Sequence, residues 1–136
     1  MITWDDSMTT GVAEIDAQHK ELIERYNAFA ETLYSHTFMT LEAGELLDFL
    51  QFYAVWHFER EEECFHKYEC PVAAANKEAH AEFIHKFGQF YEQWQTQGMK
   101  PELIRQTFAE LGVWIANHIR KIDTELYPCY VAHSQQ

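Results

Sequence analysis

The stretch HAEFIHKFGQFYEQW, residues 80–94, places large apolar side chains three and four positions apart, which is the spacing of one helix face. A histidine begins this face, at a position where an apolar side chain is expected. The pattern predicts an amphipathic helix that buries one stripe against a core. The stripe consists of His80, Phe83, Ile84, Phe87, Tyr91 and Trp94.

Three further predicted helices carry the same pattern, with one histidine inside an apolar stripe. These histidines are His19, His57 and His118. Burying an imidazole is costly unless a partner satisfies its polar nitrogens. Because one such histidine comes from each of four helices, all four would meet inside a helix bundle. The pattern therefore indicates a metal site.

Four long amphipathic segments with short connections predict an all-α fold, an antiparallel up-down-up-down four-helix bundle. We expect helices over about 12–35, 41–68, 72–95 and 101–126. The signals that should bound them are an Asp16 cap, Thr40 before the second helix, the Cys70-Pro71 break, a turn at 97–101, and Pro128 at the start of a tail. Residues 1–11 should form an N-terminal arm anchored by Trp4.

Length and composition predict a single domain over residues 1–136 with a substantial core, since 47% of residues are hydrophobic. The formal net charge of -12 argues against nucleic acid and anionic membranes as partners. No apolar run is long enough to insert into a membrane, and the first residues do not resemble a signal peptide. We therefore expect a cytoplasmic protein.

Three cysteines occur without zinc-finger spacing, at positions 64, 70 and 129. For a cytoplasmic protein we expect reduced, partly buried thiols.

Two carboxylates near the histidines receive different interpretations. Glu61 is one turn beyond His57 and shares its inward face, so it could bridge two metal ions. Asp123 is five residues beyond His118, about 140° away on an ideal helix. Spacing alone therefore predicts an exposed aspartate at position 123.

The residues that carry chemistry resemble the hemerythrin family, specifically its bacterial single-domain members, over nearly the whole chain. The matching residues are Trp4, GVAEID at 11–16, Gln18-His19-Lys20, His57-Phe58 with Glu61, Leu111, Trp114-Ile115, and His118-Ile119 with Asp123. The resemblance implies two non-haem iron ions joined by an oxo or hydroxo bridge, and reversible binding of dioxygen.

The resemblance also implies a role for each site residue. His19 and His57 would hold the iron with an open position for dioxygen, and His80 and His118 would hold the second iron. Glu61 and Asp123 would bridge the two. The apolar wall around the gas would be Trp114, Ile115 and Ile119.

One position departs from the family pattern His-x-x-x-His, since Asn76 stands four residues before His80. Asn76 could coordinate through its amide oxygen, a water could fill the gap, or the second iron could bind weakly. Compensation by His85 is disfavoured, because His85 lies about 140° from His80 on the helix. We expect His36, His66, His85 and His133 to be solvated.

The sequence leaves other functions open. The main alternative is a di-iron enzyme with oxidase, peroxidase or nitric oxide-consuming activity through an extra open iron position. Glu-x-x-His motifs like those of ferritin-like proteins occur at 63–66 and 82–85. On their helices, however, these residues lie on the face opposite the apolar stripe, which is expected to face solvent. A metal-free interaction bundle would leave four core histidines unexplained. Storage, delivery and sensing of oxygen are all compatible with the pattern, and no protein partner is indicated.

Overall fold

A computed structural model describes residues 2–35, 41–96 and 101–134 of the chain. Within these residues it contains five α-helices and two 3-10 turns. The α-helices are α1 (Ala13–Tyr34), α2 (Leu41–Lys67), α3 (Ala73–Thr96), α4 (Pro101–Lys121) and α5 (Leu126–Ser134). The 3-10 turns are Asp6–Met8 and Asp123–Glu125. Thr40, His36 and residues 97–100 of the predicted turn at 97–101 lie outside the described residues.

The four long helices pack in a ring. Each contacts the next along the chain, and α4 closes the ring against α1. The predicted all-α four-helix bundle is confirmed, and the predicted bounds of α1 to α3 agree with the structure to within about a residue.

Aromatic rings fill the half of the bundle away from the polar site. Phe29 and Phe108 approach to 4.7 Å between ring centroids, and Phe90 contacts Phe108 at 5.6 Å. All three are fully buried, each stabilising the fold by roughly 1.5–3 kcal/mol. The buried face of α3 is narrower than the predicted apolar stripe, because Ile84 lies at the edge of that stripe and is 41% exposed.

The N-terminal arm is held by Asp16, which does not cap α1 as predicted. The helix begins at Ala13 after Val12, which makes no side-chain capping bond. Asp16 instead accepts hydrogen bonds from the backbone N–H and hydroxyl of Thr10, at 2.8 and 2.7 Å. Trp4 packs against the core as expected.

The prediction of a non-helical tail from Pro128 was wrong. Helix α4 ends at Lys121, and α5 runs through Pro128 to Ser134. Proline is tolerated in the first turn of a helix, because the N–H groups there have no intrahelical acceptor. Pro128 is the third residue of α5 and therefore does not interrupt it.

The prediction of reduced cysteines was wrong for Cys70 and Cys129, which form a disulfide. Their Cα atoms are 5.4 Å apart, within the usual range for a bridged pair. The sequence separation of 59 residues gave no signal for this pairing. Cys64 remains a free thiol.

No helix among the described residues is long and apolar enough to cross a membrane.

Gly112 provides a test of how closely α1 and α4 approach. The Tyr26 hydroxyl, which donates a hydrogen bond to the Phe108 carbonyl, lies where a Cβ at position 112 would be. We expect Gly112→Ala to lower the free energy of unfolding by about 1–3 kcal/mol, the usual range for overpacking. Thermal and urea denaturation would measure the loss.

Gly88→Ala is the matched control, because Gly88 is also within a helix but a Cβ at that position would meet no neighbouring atom within 4 Å. It should raise stability by roughly 0.5–1 kcal/mol through helix propensity. Equal effects of the two substitutions would contradict the close approach at Gly112.

Candidate metal centre

Seven polar side chains meet in the half of the bundle near the α2–α3 turn, supplied by four helices and the turn after α4. Each is at most 7% exposed, so water does not solvate them. They are all seven of the predicted metal-site residues: His19, His57, Glu61, Asn76, His80, His118 and Asp123.

Asp123 reaches the site because α4 ends before it. The last helical residue is Lys121, and Asp123 opens a 3-10 turn after Ile122. The angle of 100° per residue holds only inside a regular α-helix. The predicted offset of 140° between His118 and Asp123 therefore does not apply. The exposed position that spacing predicts for Asp123 was therefore wrong, and the resemblance located this residue better.

One half of the site gathers His19 and His57. The Nε2 atom of His19 lies 2.8 Å from Glu61 Oε2 and 3.1 Å from Asp123 Oδ2. The Nε2 atom of His57 lies 3.2 Å from the same Glu61 oxygen. Two imidazoles thus face one oxygen from each carboxylate.

The other half gathers His80 and His118 around the remaining carboxylate oxygens. The Nε2 atom of His80 lies 3.0 Å from Glu61 Oε1, and that of His118 lies 3.1 Å from Asp123 Oδ1. Asn76 Oδ1 is 2.9 Å from His118 Nε2. Glu61 and Asp123 therefore each direct one oxygen to each half, which is the arrangement of a carboxylate that bridges two cations.

Several atoms of this cluster are buried without a hydrogen-bond partner although they lie so close together. They include His57 Nε2, His80 Nε2, Glu61 Oε1 and Asp123 Oδ1. Buried polar groups are nearly always hydrogen-bonded, so such a concentration needs an explanation. A metal supplies one, since imidazole and carboxylate together suit divalent iron, zinc and manganese. The residues present therefore fit a pair of metal ions.

Two outer side chains orient the histidines, and sequence reasoning missed both. His57 Nδ1 is 2.7 Å from Gln18 Oε1, and His80 Nδ1 is 3.3 Å from Glu62 Oε2. A hydrogen bond donated from Nδ1 leaves Nε2 free to bind a metal. Gln18 is next to His19 in sequence but supports a histidine of another helix, so only the packing of α1 on α2 reveals its role.

Aromatic rings cover one side of the site. Trp114 stacks on His118 with centroids 4.6 Å apart, and Phe58 stacks on His80 at 3.9 Å. Ile115 and Ile119 are buried in the same core. Trp114 therefore lies beside the His80/His118 half. Phe58 is a further aromatic neighbour of the site, to which sequence reasoning gave no role.

Charges in the cluster shift its pKa values in opposite directions. Burial lowers the pKa of His19, but hydrogen bonds and charge from Asp123 and Glu61 outweigh burial and raise that pKa to about 10. Burial opposes ionisation of Glu61, yet the imidazole nitrogens of His19, His57 and His80, all within 3.2 Å of its carboxylate, hold its pKa well below the usual range. Burial dominates at His57 and lowers its pKa. Without metal, a proton on His19 balances part of the buried negative charge.

The other histidines in the described part of the chain are not among the site residues. His66, His85 and His133 are exposed, as predicted. His85 therefore does not compensate for Asn76. The Glu-x-x-His strings are exposed at Glu63 and Glu82 as well, so they do not form a ferritin-like centre.

Comparisons with known proteins agree with this arrangement. Residues 10–130 match the family model described as the hemerythrin HHE cation binding domain. A bacteriohemerythrin of Stenotrophomonas maltophilia (strain R551-3) is 29% identical over all of this chain and 86% of its own length. One from Methylococcus capsulatus (strain ATCC 33009 / NCIMB 11132 / Bath) is 29% identical over 97% of this chain and 98% of its own. A crystal structure of wild-type hemerythrin superposes with a TM-score of 0.84 at 27% identity, covering 95% of this chain and 97% of that one.

The raised pKa of His19 predicts that metal binding releases protons. Because that pKa is about 10 without metal, His19 carries a proton at pH 8 that a cation must displace. Zinc titration in weak buffer with a pH indicator should show at least one proton released per chain at pH 8, and zinc affinity should rise with pH below the pKa of His19 until hydroxide competes for the zinc.

The control is His19→Gln, which should release about one proton fewer and bind zinc more weakly. Zinc binding without proton release at pH 8 would contradict the charge arrangement around His19.

Proposed function

Because this chain belongs to the hemerythrin family, we propose that it is a non-haem di-iron protein that binds dioxygen reversibly. The observation that carries the proposal is the division of the Glu61 and Asp123 oxygens between two pairs of buried histidines. A site for one cation needs no such division. Ferrous iron, when bound, supplies the electrons for reversible binding of dioxygen.

In this proposal His19 and His57 would hold the iron that binds the gas, and His80 and His118 would hold the other. Glu61 and Asp123 would supply a carboxylate oxygen to each. Gln18 and Glu62 keep the imidazoles of His57 and His80 turned inward. This ligand set is supported by the burial and convergence of the side chains.

The apolar wall would protect the bound gas from water and protons, which favour irreversible oxidation of the iron. Trp114, Ile115 and Ile119 are the proposed wall residues. Phe58 joins them, because its ring lies 5.9 Å from that of His57 as well as stacking on His80. Ile115 also borders a small apolar cavity in the bundle interior, next to Leu22 and Phe83. Such a cavity admits a small nonpolar molecule more readily than an ion.

Asn76 supports a second candidate function. Its amide is fully buried, its oxygen faces His118, and its Nδ2 lacks a hydrogen-bond partner. An amide oxygen is a weaker ligand for iron than an imidazole. A more open second iron would favour oxidase, peroxidase or nitric oxide-consuming activity over storage, delivery or sensing of oxygen. A cytoplasmic location remains part of the proposal, and fractionation of cells would test it.

Loading with ferrous iron under argon is the first test. We expect about two irons per chain by metal analysis, with a visible absorption band that appears in air and fades under argon over repeated cycles. Glu61→Gln should lose most of the second iron, since a neutral amide bridges cations poorly. One irreversible oxidation step in the wild type would reject reversible binding and favour the enzymatic alternative.

Substitution at position 76 tests the altered ligand. Asn76→His should slow iron loss to a chelator by at least about tenfold, and Asn76→Ala should speed it, because the two changes add and remove a donor at the His118 half. His85→Ala is the matched control, since His85 is exposed on the same helix. Identical release rates for all four proteins would exclude Asn76 from the site.

A further inference from the structure

The Cys70–Cys129 disulfide joins α5 to the turn between α2 and α3. Helix α5 begins directly after the 3-10 turn Asp123–Glu125, which carries one of the two carboxylates shared by the candidate metal site. The disulfide therefore fixes a short C-terminal helix to the bundle at a point close to the site.

The two sulfurs differ in how accessible they are. Cys70 is 6% exposed and packs in a small cluster with Ile15, Phe65 and Leu126. Cys129 is partly exposed and lines a surface cavity of about 290 Å³. An external thiol can thus approach Cys129 from solvent and from that cavity. Exposed disulfides are more often labile and regulatory than buried ones.

The disulfide also contacts the turn that carries Asp123. The backbone oxygen of Glu125 lies 3.5 Å from the sulfur of Cys70 and 3.4 Å from that of Cys129. Glu125 and Asp123 belong to the same three-residue turn. Release of α5 would remove the covalent restraint next to this turn and leave it held by packing alone, against α4, the Asp6–Met8 turn and the buried Leu126.

We propose that the Cys70–Cys129 disulfide is a thiol–disulfide exchange site for a dithiol reductant, and that its reduction loosens Asp123 and weakens metal retention. The metal part of this proposal rests on the proposed function. In reducing compartments the disulfides that do occur are mostly catalytic or redox-sensing. A reversible bond at this place would adjust the metal site to the thiol redox state.

The exchange proceeds in two steps. A thiolate of the reductant attacks the Cys129 sulfur, forming a mixed disulfide and breaking the bond to Cys70, whose sulfur takes the electron pair and then a proton. The second thiol of the reductant, as a thiolate, then attacks the reductant's other sulfur, which is bonded to Cys129 in the mixed disulfide. This step releases the Cys129 thiolate, which is protonated in turn. Two electrons and two protons pass to the protein, and the reductant becomes a disulfide.

Alkylation and mass spectrometry of the native protein test the exchange itself. Burial raises the pKa of the Cys64 thiol, so it reacts slowly, and a Cys64→Ser variant removes it altogether. In this variant we expect no alkylated cysteine before treatment with dithiothreitol and two afterwards, without denaturant. Two alkylated cysteines before treatment, or none after it, would overturn the proposal.

Iron release tests the coupling. Ferrous protein is mixed under argon with a chromogenic chelator, after desalting to remove dithiothreitol. Reduced wild-type protein and Cys129→Ser should release iron at least about tenfold faster than the oxidised wild type, the effect typical of losing support for a metal ligand. Cys64→Ser, the matched control, should behave as the oxidised wild type does.

The outcomes separate this proposal from the proposed function. Equal release rates from oxidised and reduced protein would overturn the coupling while leaving the di-iron site intact. Oxidised protein that binds no iron would overturn the proposed function and the coupling together, and alkylation would still decide whether exchange occurs. If Cys129→Ser does not fold, reduced wild-type protein provides the same comparison.

Discussion

The carboxylate of Glu61 is fully buried, and three histidines from three helices surround it. An unpaired charge in such a place would cost several kcal/mol, so the interior of the bundle depends on its partners. Three imidazoles must all lie within 3.2 Å of this one carboxylate: those of His19 from α1, His57 from α2 and His80 from α3. The relative positions of these helices are therefore limited by a polar contact as well as by the aromatic core. Without metal, the proton on His19 meets part of this requirement.

Helical periodicity was sufficient to predict the bundle, the four inward-facing histidines and the inward position of Glu61. These residues all lie within regular helices, where the periodicity applies. It failed for Asp123, where the helix ends and the angular rule no longer holds. It also missed Gln18 and Glu62, since each supports a histidine on a neighbouring helix, and such contacts depend on packing. The disulfide was missed because it joins two segments that only the folded chain brings together.

The two halves of the site differ in a way that the identity of the side chains alone does not reveal. Each half has two histidines and one oxygen from each shared carboxylate. The His57 half is supported by the neutral amide of Gln18, and the His80 half by the carboxylate of Glu62. A carboxylate makes the attached imidazole a stronger donor than an amide does. The carboxylate support thus lies in the half that contains Asn76, although its contact is longer, 3.3 Å for Glu62 against 2.7 Å for Gln18.

The position of Asp123 after α4 bears on how the protein is made. It is the last of the seven site residues in the chain, so a ribosome synthesises both histidine pairs and Glu61 before the second shared carboxylate exists. A nascent chain that has just exposed α1 to α3 already contains three of the four histidines but only one of the two shared carboxylates. The full set of seven side chains is therefore complete only after this region has been translated, when the residues of α1 to α4 already exist.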